Sequence, residues 1–252
     1  MKKKSIVLIA TVVMMLAALA IGGTLAYFTD TEKTTNVLTA GDVKINLEEY
    51  TYNEDGEKVP FTEEAAMTMY PMTNEQGYDI ANKIVDVHNT SKEDPAYIRT
   101  LVAFEKLDSE GVEGMEAIED ELHYLALTAN YPDSMIYGVD INDAYWGDVT
   151  VADEEYEIFV FNTLDKVAVP VGGKVQSLQS VWLDKDFTMD HMSLLGEDGK
   201  LNVLVVAQAV QTANFDDYDA AFAATFELTE ENIINWFSAA DNAVINDLTP
   251  AA

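Results

Sequence analysis

The sequence predicts an all-β sandwich or jelly roll with short helices. The pattern of apolar segments supports this fold class, and the composition bounds what such a fold can contain. Segments with alternating or continuous apolar residues recur over most of the chain, and turn signals separate them. Hydrophobic residues make up 48% of the 252 residues, which suffices for a core and argues against wholesale disorder. Cysteine is absent, which excludes disulfide frameworks, thiolate zinc sites, iron–sulfur clusters and cysteine nucleophiles.

Six segments are predicted to be strands. The first two alternate apolar and polar residues, which is typical of strands buried on one face. The segments at 156–161 and 201–210 are apolar on both faces, which is typical of the central strands of a sandwich. Turn dipeptides containing glycine separate them. The predicted strands lie at 43–48, 85–88, 96–104, 156–161, 175–183 and 201–210, and the predicted turns at 55–56, 172–173 and 198–199.

Three short helices are predicted among the strands. Apolar residues at helical spacing, surrounded by acidic residues, predict one over 115–125. A second is predicted over 216–224, directly after the last long strand. The third is predicted to begin after Thr229, because a threonine followed by two glutamates is typical of a helix N-cap with acids in the first turn.

Residues 1–26 are predicted to be a secretory signal peptide. Three lysines precede an apolar run at 6–21, and Thr24 and Ala26 supply the small residues for cleavage before Tyr27. The run of 16 residues is shorter than the ~20 that span a bilayer, which favours cleavage over a retained anchor. We therefore expect a signal peptidase to act on the chain during export. No stable membrane insertion is expected after cleavage, nor any anchoring by the C-terminus.

The charge balance limits the classes of partner. The chain has 14 basic and 45 acidic residues, a net charge of −31. Removing residues 1–26 removes three lysines and no acid, which leaves 11 basic residues and a net charge of −34. A nucleic acid requires a basic surface, so it is excluded as a partner. Electrostatic docking on an anionic membrane is disfavoured for the same reason.

Two N-terminal motifs carry a family resemblance. GGTLAYFTD at 22–30 and NVLTAGDV at 36–43 resemble the N-terminus of the TasA/camelysin family, and DPAYIR at 94–99 and AQAVQ at 207–211 continue the similarity more loosely. These are exported proteins of Gram-positive bacteria, processed by a dedicated signal peptidase. They include biofilm matrix fibre subunits, spore-coat-associated proteins and a surface metalloprotease. The resemblance implies a secreted β-sandwich of jelly-roll type, and leaves both a scaffold and an enzyme open.

The chain is predicted to consist of four parts. The signal peptide at 1–26 precedes residues 27–41, which form either a free arm or the first strand of the sandwich. As an arm, this segment could add to the sheet edge of a neighbouring subunit. The sandwich domain is predicted at 42–242, with an insertion at about 111–155, and residues 243–252 are predicted to be a flexible tail.

The sequence offers little support for catalysis. A common zinc protease needs His-Glu-x-x-His, whereas His88, His123 and His191 are isolated. We interpret them as a strand-edge, a helix-surface and a loop residue, respectively. Neither a Gly-x-Ser-x-Gly motif nor a nucleotide-binding glycine loop is present. We therefore expect no enzymatic activity, with a zinc metalloendopeptidase using the three histidines as the alternative.

Two acidic clusters are candidate calcium sites, and solvated loops are the alternative interpretation. Their carboxylate and amide oxygens suit calcium, although neither cluster has the spacing of an EF-hand. The candidate ligands are Asp140, Asn142, Asp143 and Asp148 in the first cluster, and Asp216, Asp217 and Asp219 in the second. No other cofactor is predicted.

One cation and one aromatic group are further candidates. Arg99 is the only arginine of the chain. It is expected either to form a bidentate pair with a carboxylate inside the sandwich or to lie on an exposed strand face. Tyr131, Tyr137, Tyr145 and Trp146 are predicted to form a packed loop cluster, or alternatively to bind sugars or partner proteins.

The sequence thus predicts a secreted structural protein of the extracellular matrix or cell surface. We expect it to self-associate through β-strand edges and to contact other matrix or surface proteins. A camelysin-like secreted metalloprotease is one alternative. A monomeric surface adhesin that binds its ligand through residues 111–155 is another.

Overall fold

The computed structural model describes residues 26–29, 36–53, 55–61, 68–69, 82–107, 122–184, 186–192, 194, 200–213 and 215–238. The described strands are β1 (Ala26–Thr29), β2 (Asn36–Ala40), β3 (Ile45–Tyr52), β4 (Lys58–Pro60), β5 (Thr68–Met69), β6 (Ile84–Asn89), β7 (Ala96–Glu105), β8 (Leu122–Leu125), β9 (Ile136–Tyr137), β10 (Val139–Asp140), β11 (Tyr145–Val151), β12 (Glu154–Thr163), β13 (Lys174–Leu178), β14 (Ser180–Leu183) and β15 (Lys200–Gln211). The described α-helices are α1 (Met189–Met192), α2 (Tyr218–Thr225) and α3 (Glu230–Ser238), and two short 3-10 helices lie at Pro132–Ser134 and Leu164–Lys166.

The larger sheet is built around three long antiparallel strands, in the order β12, β7, β15. On the outer side of β12, β10 and β11 pair with its two ends. On the outer side of β15, β1 pairs with the beginning of the strand and β2 with its end, both in parallel. β5 pairs with β1 beyond that. The two N-terminal strands therefore complete one side of this sheet.

The smaller sheet has the order β4, β3, β6, β13, β9. The first four strands are antiparallel to their neighbours, whereas β9 runs parallel to β13. In β3 the side chains of Ile45 and Leu47 are buried and Asn46 is exposed, as their alternation predicts. A separate two-stranded ribbon of β8 and β14 adjoins the core.

Two hydrophobic cores lie on opposite faces of the larger sheet. The first core lies between the two sheets, where Ile98 and Val102 of β7 join the same cluster as Leu47 and Val87 of the smaller sheet. The second core lies between the outer face of the larger sheet and helices α2 and α3. Strands that are apolar on both faces require a cover on each side, and the helices provide the second cover.

The structure confirms the all-β class with short helices. All six predicted strands are present, although the segment predicted at 175–183 is divided into β13 and β14 at Gln179. Parallel pairs make both sheets mixed, so the jelly-roll type stays a prediction. The helix predicted after Thr229 is confirmed, because the Asn232 amide donates to the Thr229 hydroxyl at 3.2 Å. The helix predicted over 216–224 is confirmed as α2, whose N-cap is Asp217.

The helix predicted over 115–125 is wrong at its C-terminal end. Leu122–Leu125 forms β8, which pairs with β14, and Leu122 is buried in the first core. The ring of Tyr124 stacks on Phe104 at a centroid distance of 5.7 Å. Leu122 and Tyr124 therefore both face the core, and side chains at every second position share a face in a strand. The packing of these two side chains outweighs the local helical pattern. Residues 115–121 lie outside the described residues.

Much of the predicted insertion belongs to the body of the molecule. From Leu122 onward it supplies β8 to β11 and the beginning of β12, which pair with both sheets and with β14. Most of the signal peptide, the turn at 198–199 and the tail at 243–252 lie outside the described residues. Within the described part of the chain, no helix has the length and apolar character needed to cross a bilayer.

We predict that Phe104→Ala destabilises the fold by about 3–5 kcal/mol, because it empties a fully buried position. Phe104 contacts both Tyr124 of β8 and Phe159 of β12, so the substitution removes packing contacts of both strands. Urea unfolding followed by fluorescence measures the change. Val171→Ala at a position 37% exposed is the control and should remain within about 0.5 kcal/mol of the parent protein. Equal stability of the two variants would contradict the packing described here.

Candidate functional site

Segments from three distant parts of the sequence meet on three adjacent strands. Gln208 in β15 lies directly opposite Leu38 in β2 and Arg99 in β7. The next residue, Ala209, lies opposite Thr39 on one side and Ile98 on the other. The segments at 36–43, 94–99 and 207–211, which carry the family resemblance, thus form one structural unit. We call this the β2–β15–β7 unit.

The N-terminal arm is a strand of its own sandwich in this structure. β2 lies beside Val206–Val210 of β15, and Leu38 and Ala40 are buried in the second core. Val37 packs against the first core on the opposite face. β1 begins at Ala26, so the predicted cleavage site falls at the first residue of this strand. Of the two predicted roles of the arm, the structure shows the intramolecular one.

Arg99 occupies neither of the environments predicted for it. Its side chain is buried, with 4% exposed, in the outer face of the larger sheet. The Nε–H donates to the Gln208 Oε1 at 2.6 Å, and an Nη2–H donates to the main-chain carbonyl of Phe226 at 2.5 Å. The guanidinium also lies 4.3 Å from the centre of the Phe222 ring. Arg99 therefore links β7 to β15 and to the end of α2.

Helix and ring contacts take the place of a carboxylate at this site. Phe226 is the C-cap of α2, and a helix C-terminus carries partial negative charge on its last carbonyl groups. The face of an aromatic ring is also negative and attracts a cation. No carboxylate among the described residues forms an ion pair with Arg99. Burial consequently lowers the pKa of Arg99 to about 10, and the group is still charged at neutral pH.

Tyr218 fixes the first turn of α2 to the same sheet. Its hydroxyl lies 2.9 Å from the carbonyl oxygen of Ile98 and 3.1 Å from the Oδ1 of Asn162. Burial raises the pKa of Tyr218, so the hydroxyl keeps its proton and acts as a donor. The ring of Tyr218 also contacts the ring of Tyr97, which lies two residues before Arg99 in β7. Both ends of α2 are thus attached to β7.

The first acidic cluster is divided between two places. Asp140 accepts hydrogen bonds from the main-chain and side-chain nitrogens of Asn142, at 3.0 and 2.8 Å. Asp148 accepts from Lys106 Nζ at 2.9 Å and from the Tyr145 hydroxyl at 2.8 Å. Asp140 pairs with Asn162 of β12, and Asp148 pairs with Glu157. These two partners lie five residues apart, or about 17 Å along the strand, so Asp140 and Asp148 are far from each other. Asp143, at a positive φ of 56°, follows Asn142 in the turn.

The second acidic cluster serves helix α2. Asp217 accepts from the Ala220 amide at 2.8 Å and caps the helix. Both oxygens of Asp219 accept from Lys166 Nζ, at 2.6 and 2.7 Å, while Asp216 is exposed. Among the described residues, no group of three or more acidic or histidine side chains is arranged to hold a metal ion. Calcium binding by either cluster therefore stays a prediction.

The three histidines lie on three different elements. His88 is in β6, between β3 and β13, so the strand-edge interpretation is wrong. His123 is in β8, so the helix-surface interpretation is wrong; its Nε2 lies 2.8 Å from Asp184, and its ring stacks on Trp182. His191 is buried in α1 and accepts from the Thr188 amide, so it is not a loop residue.

The smaller sheet contains a buried carboxylate that the sequence analysis missed. Asp86 in β6 is 0% exposed, and its Oδ2 contacts Lys174 Nζ. The Tyr50 hydroxyl lies 3.2 Å from the same oxygen, and the Gln176 amide donates to the other oxygen at 3.0 Å. Glu48, Asp86 and Gln176 occupy facing positions of adjacent strands, a register that the local sequence around Asp86 does not indicate. This network joins three strands of the smaller sheet.

The aromatic group at 131–146 is divided between core and surface. Tyr137 is buried in the first core, and Trp146 packs against the second. Tyr131 and Tyr145 are largely exposed, although the Tyr145 ring contacts Phe159 edge-on. The prediction of a packed cluster is therefore confirmed for only part of the group.

One comparison with known proteins matches the N-terminal part of the chain, which includes β2 of the β2–β15–β7 unit. Residues 1–54 match the family model described as camelysin metallo-endopeptidase. No curated protein and no solved structure matches the chain. The fold and the β2–β15–β7 unit define an all-β protein whose N-terminal strand completes a sheet edge. The matched segment contains β1, β2 and β3 and covers about a fifth of the chain, and it confirms the resemblance to the camelysin/TasA family over that segment.

We predict that Arg99→Lys lowers the free energy of unfolding by about 2–4 kcal/mol, because an ammonium cannot reproduce the two divergent hydrogen bonds and leaves a buried acceptor unpaired. Urea unfolding followed by tryptophan fluorescence reports the change, since Trp236 of α3 contacts the ring of Phe226. Lys166→Arg, at an exposed position, is the matched control and should have little effect. Wild-type stability of Arg99→Lys would refute the role assigned to the guanidinium.

We predict a pH-dependent effect of Asp148→Asn. Burial acts to raise the pKa of Asp148, but hydrogen bonds from Lys106 and Tyr145 outweigh it, and the pKa lies below its ordinary value. The stabilisation is therefore present above the unfolded-state pKa and is lost as the pH falls through the folded-state pKa. Because the side chain is about one third exposed, the loss at pH 7 should not exceed about 1 kcal/mol.

Urea titrations at pH 7 and at about pH 3 test this dependence on the carboxylate charge. The difference between Asp148→Asn and the parent protein should shrink at the lower pH. Asp133→Asn, at an exposed position of a turn, is the control and should show no difference at either pH. A difference that grows on acidification would have the wrong sign for this ion pair.

Proposed function

We propose that the chain is a secreted structural subunit of the extracellular matrix or cell surface, which assembles through its strand edges. The observation that carries the proposal is β2, an N-terminal strand that completes the larger sheet by parallel pairing with β15. Among the described strands, β2 and β11 each pair on one side only, so each presents an edge to which no other described strand is paired. Unpaired edges are sites for strand addition by another chain.

The N-terminal arm is suited to exchange between subunits. Its contacts with β15 would be the same in a neighbour, because every subunit presents the same edge. Exchange of an identical element costs little free energy, so concentration can drive it. The ladder uses main-chain hydrogen bonds, and Leu38 and Ala40 fill positions in the second core that only a strand in this register can occupy. Assembly by the arm therefore requires that it first leave its own sheet.

Export and partners follow from the same proposal. A signal peptidase would remove residues 1–26 and leave Tyr27 as the new N-terminus. The mature chain would then meet other subunits, and other matrix or surface proteins, outside the cell. Its charge of −34 makes nucleic acid an unsuitable partner.

A metallo-endopeptidase is the second candidate function, because the matched family model carries that description. The histidines give it little support, since they lie on β6, β8 and α1. A stoichiometric zinc ion in the pure protein, together with proteolysis that a chelator abolishes, would decide for the enzyme. Neither result is expected from a structural subunit.

We predict that a reversible crosslink between β2 and β15 prevents assembly. Thr39 and Ala209 are direct partners in the ladder, and adjacent strands bring paired Cα atoms to a spacing that a disulfide can bridge. The mature variant Thr39→Cys/Ala209→Cys should stay monomeric when oxidised and assemble when reduced. Electron microscopy and light scattering measure assembly. A crosslink is preferable to deletion of 27–41, because deletion would uncover the apolar positions that Leu38 and Ala40 fill.

The matched control places a disulfide in a hairpin remote from the arm. Thr51 and Val59 are direct partners in β3 and β4, so Thr51→Cys/Val59→Cys adds the same chemistry without tethering β2. This control should assemble equally in both redox states. Assembly of the oxidised Thr39→Cys/Ala209→Cys variant would rule out release of the arm as a required step.

We predict that mild acid, raised salt and calcium each promote assembly. Subunits with a charge of −34 repel one another at an interface, and screening acts only beyond about 8 Å at physiological salt. Light scattering at neutral pH, titrated with calcium or sodium at matched ionic strength, separates two cases. Calcium is the more effective ion only if an acidic cluster binds it as a site. A protein that stays monomeric in all three treatments would contradict the structural proposal and favour an adhesin.

A further inference from the structure

The chain crosses from the larger sheet to the smaller one within a few residues of β2. Ala40 ends β2, and Ile45 begins β3 in the other sheet. Val43, 2% exposed, is already anchored in the first core. The Lys44 amide donates to the Ser91 hydroxyl at 2.8 Å, and the Thr90 amide donates to the Lys44 carbonyl at 2.9 Å. A pivot of the arm is therefore confined to the residues before Val43.

Gly41 and Asp42 are the two exposed residues between these anchored segments. Gly41 has a φ of +86°, in the left-handed region that favours glycine. A backbone rotation at a glycine meets few steric barriers, so this position can absorb a change of direction at little cost. If the arm leaves its sheet, its hinge would therefore lie at Gly41–Asp42.

One side chain from β15 lies across this hinge. The side-chain amide of Gln211 packs so closely on Gly41 that a Cβ there would lie 2.4 Å from the Gln211 Cδ. The Asp42 amide also points at the Gln211 Oε1, at 3.4 Å. Gln211 is the last residue of β15, and its main chain pairs with Ala96 of β7. Its backbone therefore belongs to the sheet, while its side chain contacts Gly41 and Asp42 in the turn at the end of the arm.

We propose that the Gln211 side chain is a catch on the Gly41–Asp42 hinge, which holds β2 in its own sheet and limits the rate at which the arm is released. The catch deepens the proposed function and rests on it for its biological role. The Gln211 side chain does not contribute to the β2–β15 ladder, so it can alter the opening rate without altering the strand that is exchanged. A side chain at position 41 would displace the catch, because its Cβ would lie 2.4 Å from the Gln211 Cδ.

Three variants of the mature full chain separate packing from hydrogen bonding. Gln211→Ala removes the catch and keeps the main-chain ladder. Gln211→Met keeps a long side chain over Gly41 and lacks the acceptor for the Asp42 amide. Gln179→Ala is the matched control, since Gln179 lies between β13 and β14 and bonds Gln176 and Leu125 instead. Hydrogen–deuterium exchange of amides 36–40 measures release of β2 in the monomer, and light scattering measures assembly.

We expect exchange at 36–40 to be about 3- to 10-fold faster in Gln211→Ala, as the loss of one modest polar contact and its packing allows. Gln211→Met should lie between Gln211→Ala and the parent protein, and Gln179→Ala should match the parent. The increase should be confined to β2, because a loss of global stability would accelerate exchange in β7 and β12 as well. Assembly of Gln211→Ala should be faster by a similar factor.

The two measurements fail independently. Unchanged exchange at 36–40 in Gln211→Ala would overturn the catch, whether or not the protein assembles. Faster exchange without assembly of any variant would uphold the catch and contradict the proposed structural function. Faster exchange with an unchanged assembly rate would overturn the claim that the catch limits release of the arm during assembly.

Discussion

The burial of Arg99 without a carboxylate constrains much of this structure. A guanidinium removed from water needs hydrogen-bond acceptors, and here two of its donors find them on a neighbouring strand and at the end of a helix. The carbonyl of Phe226 is available only if α2 ends directly above β7. The position of α2 determines in turn which residues cover the second core, including Leu38 and Ala40 of the N-terminal strand. One side chain thereby connects the middle of the sheet, the helical cover and the arm.

The two faces of the larger sheet are stabilised by different kinds of interaction. The inner face packs against the smaller sheet through aliphatic and aromatic residues, so its stability depends on volume and shape. The outer face combines apolar packing with a charged and hydrogen-bonded centre at Arg99, Gln208 and Tyr218. Polar contacts of this kind are directional and specify one register of helices on strands. β2 lies at the margin of both faces, which suits a segment that is proposed to leave and return.

The predictions from sequence succeeded where one periodicity dominated. The segments around Ile158 and Val206 have apolar residues on both faces, and they became the central strands β12 and β15. The prediction failed at Leu122–Leu125, where the local spacing fitted a helix and pairing with distant β14 decided the outcome. Arg99 could not be predicted, because its partners come from residues over a hundred positions away. Asp86 was missed for the same reason, since burial is decided by strands that the local pattern does not contain.

The pairing of lysines with carboxylates of the same chain has a consequence for the material that such subunits would form. Lys58, Lys106, Lys166 and Lys174 each neutralise a carboxylate of their own chain, and Arg99 is sealed beneath α2. The charge that remains on the surface is therefore overwhelmingly negative, and mobile cations must accompany it to preserve electroneutrality. Those cations cannot diffuse away from a network that retains the protein, so they draw water inward. A matrix of these subunits would swell osmotically in dilute surroundings and contract when external salt rises.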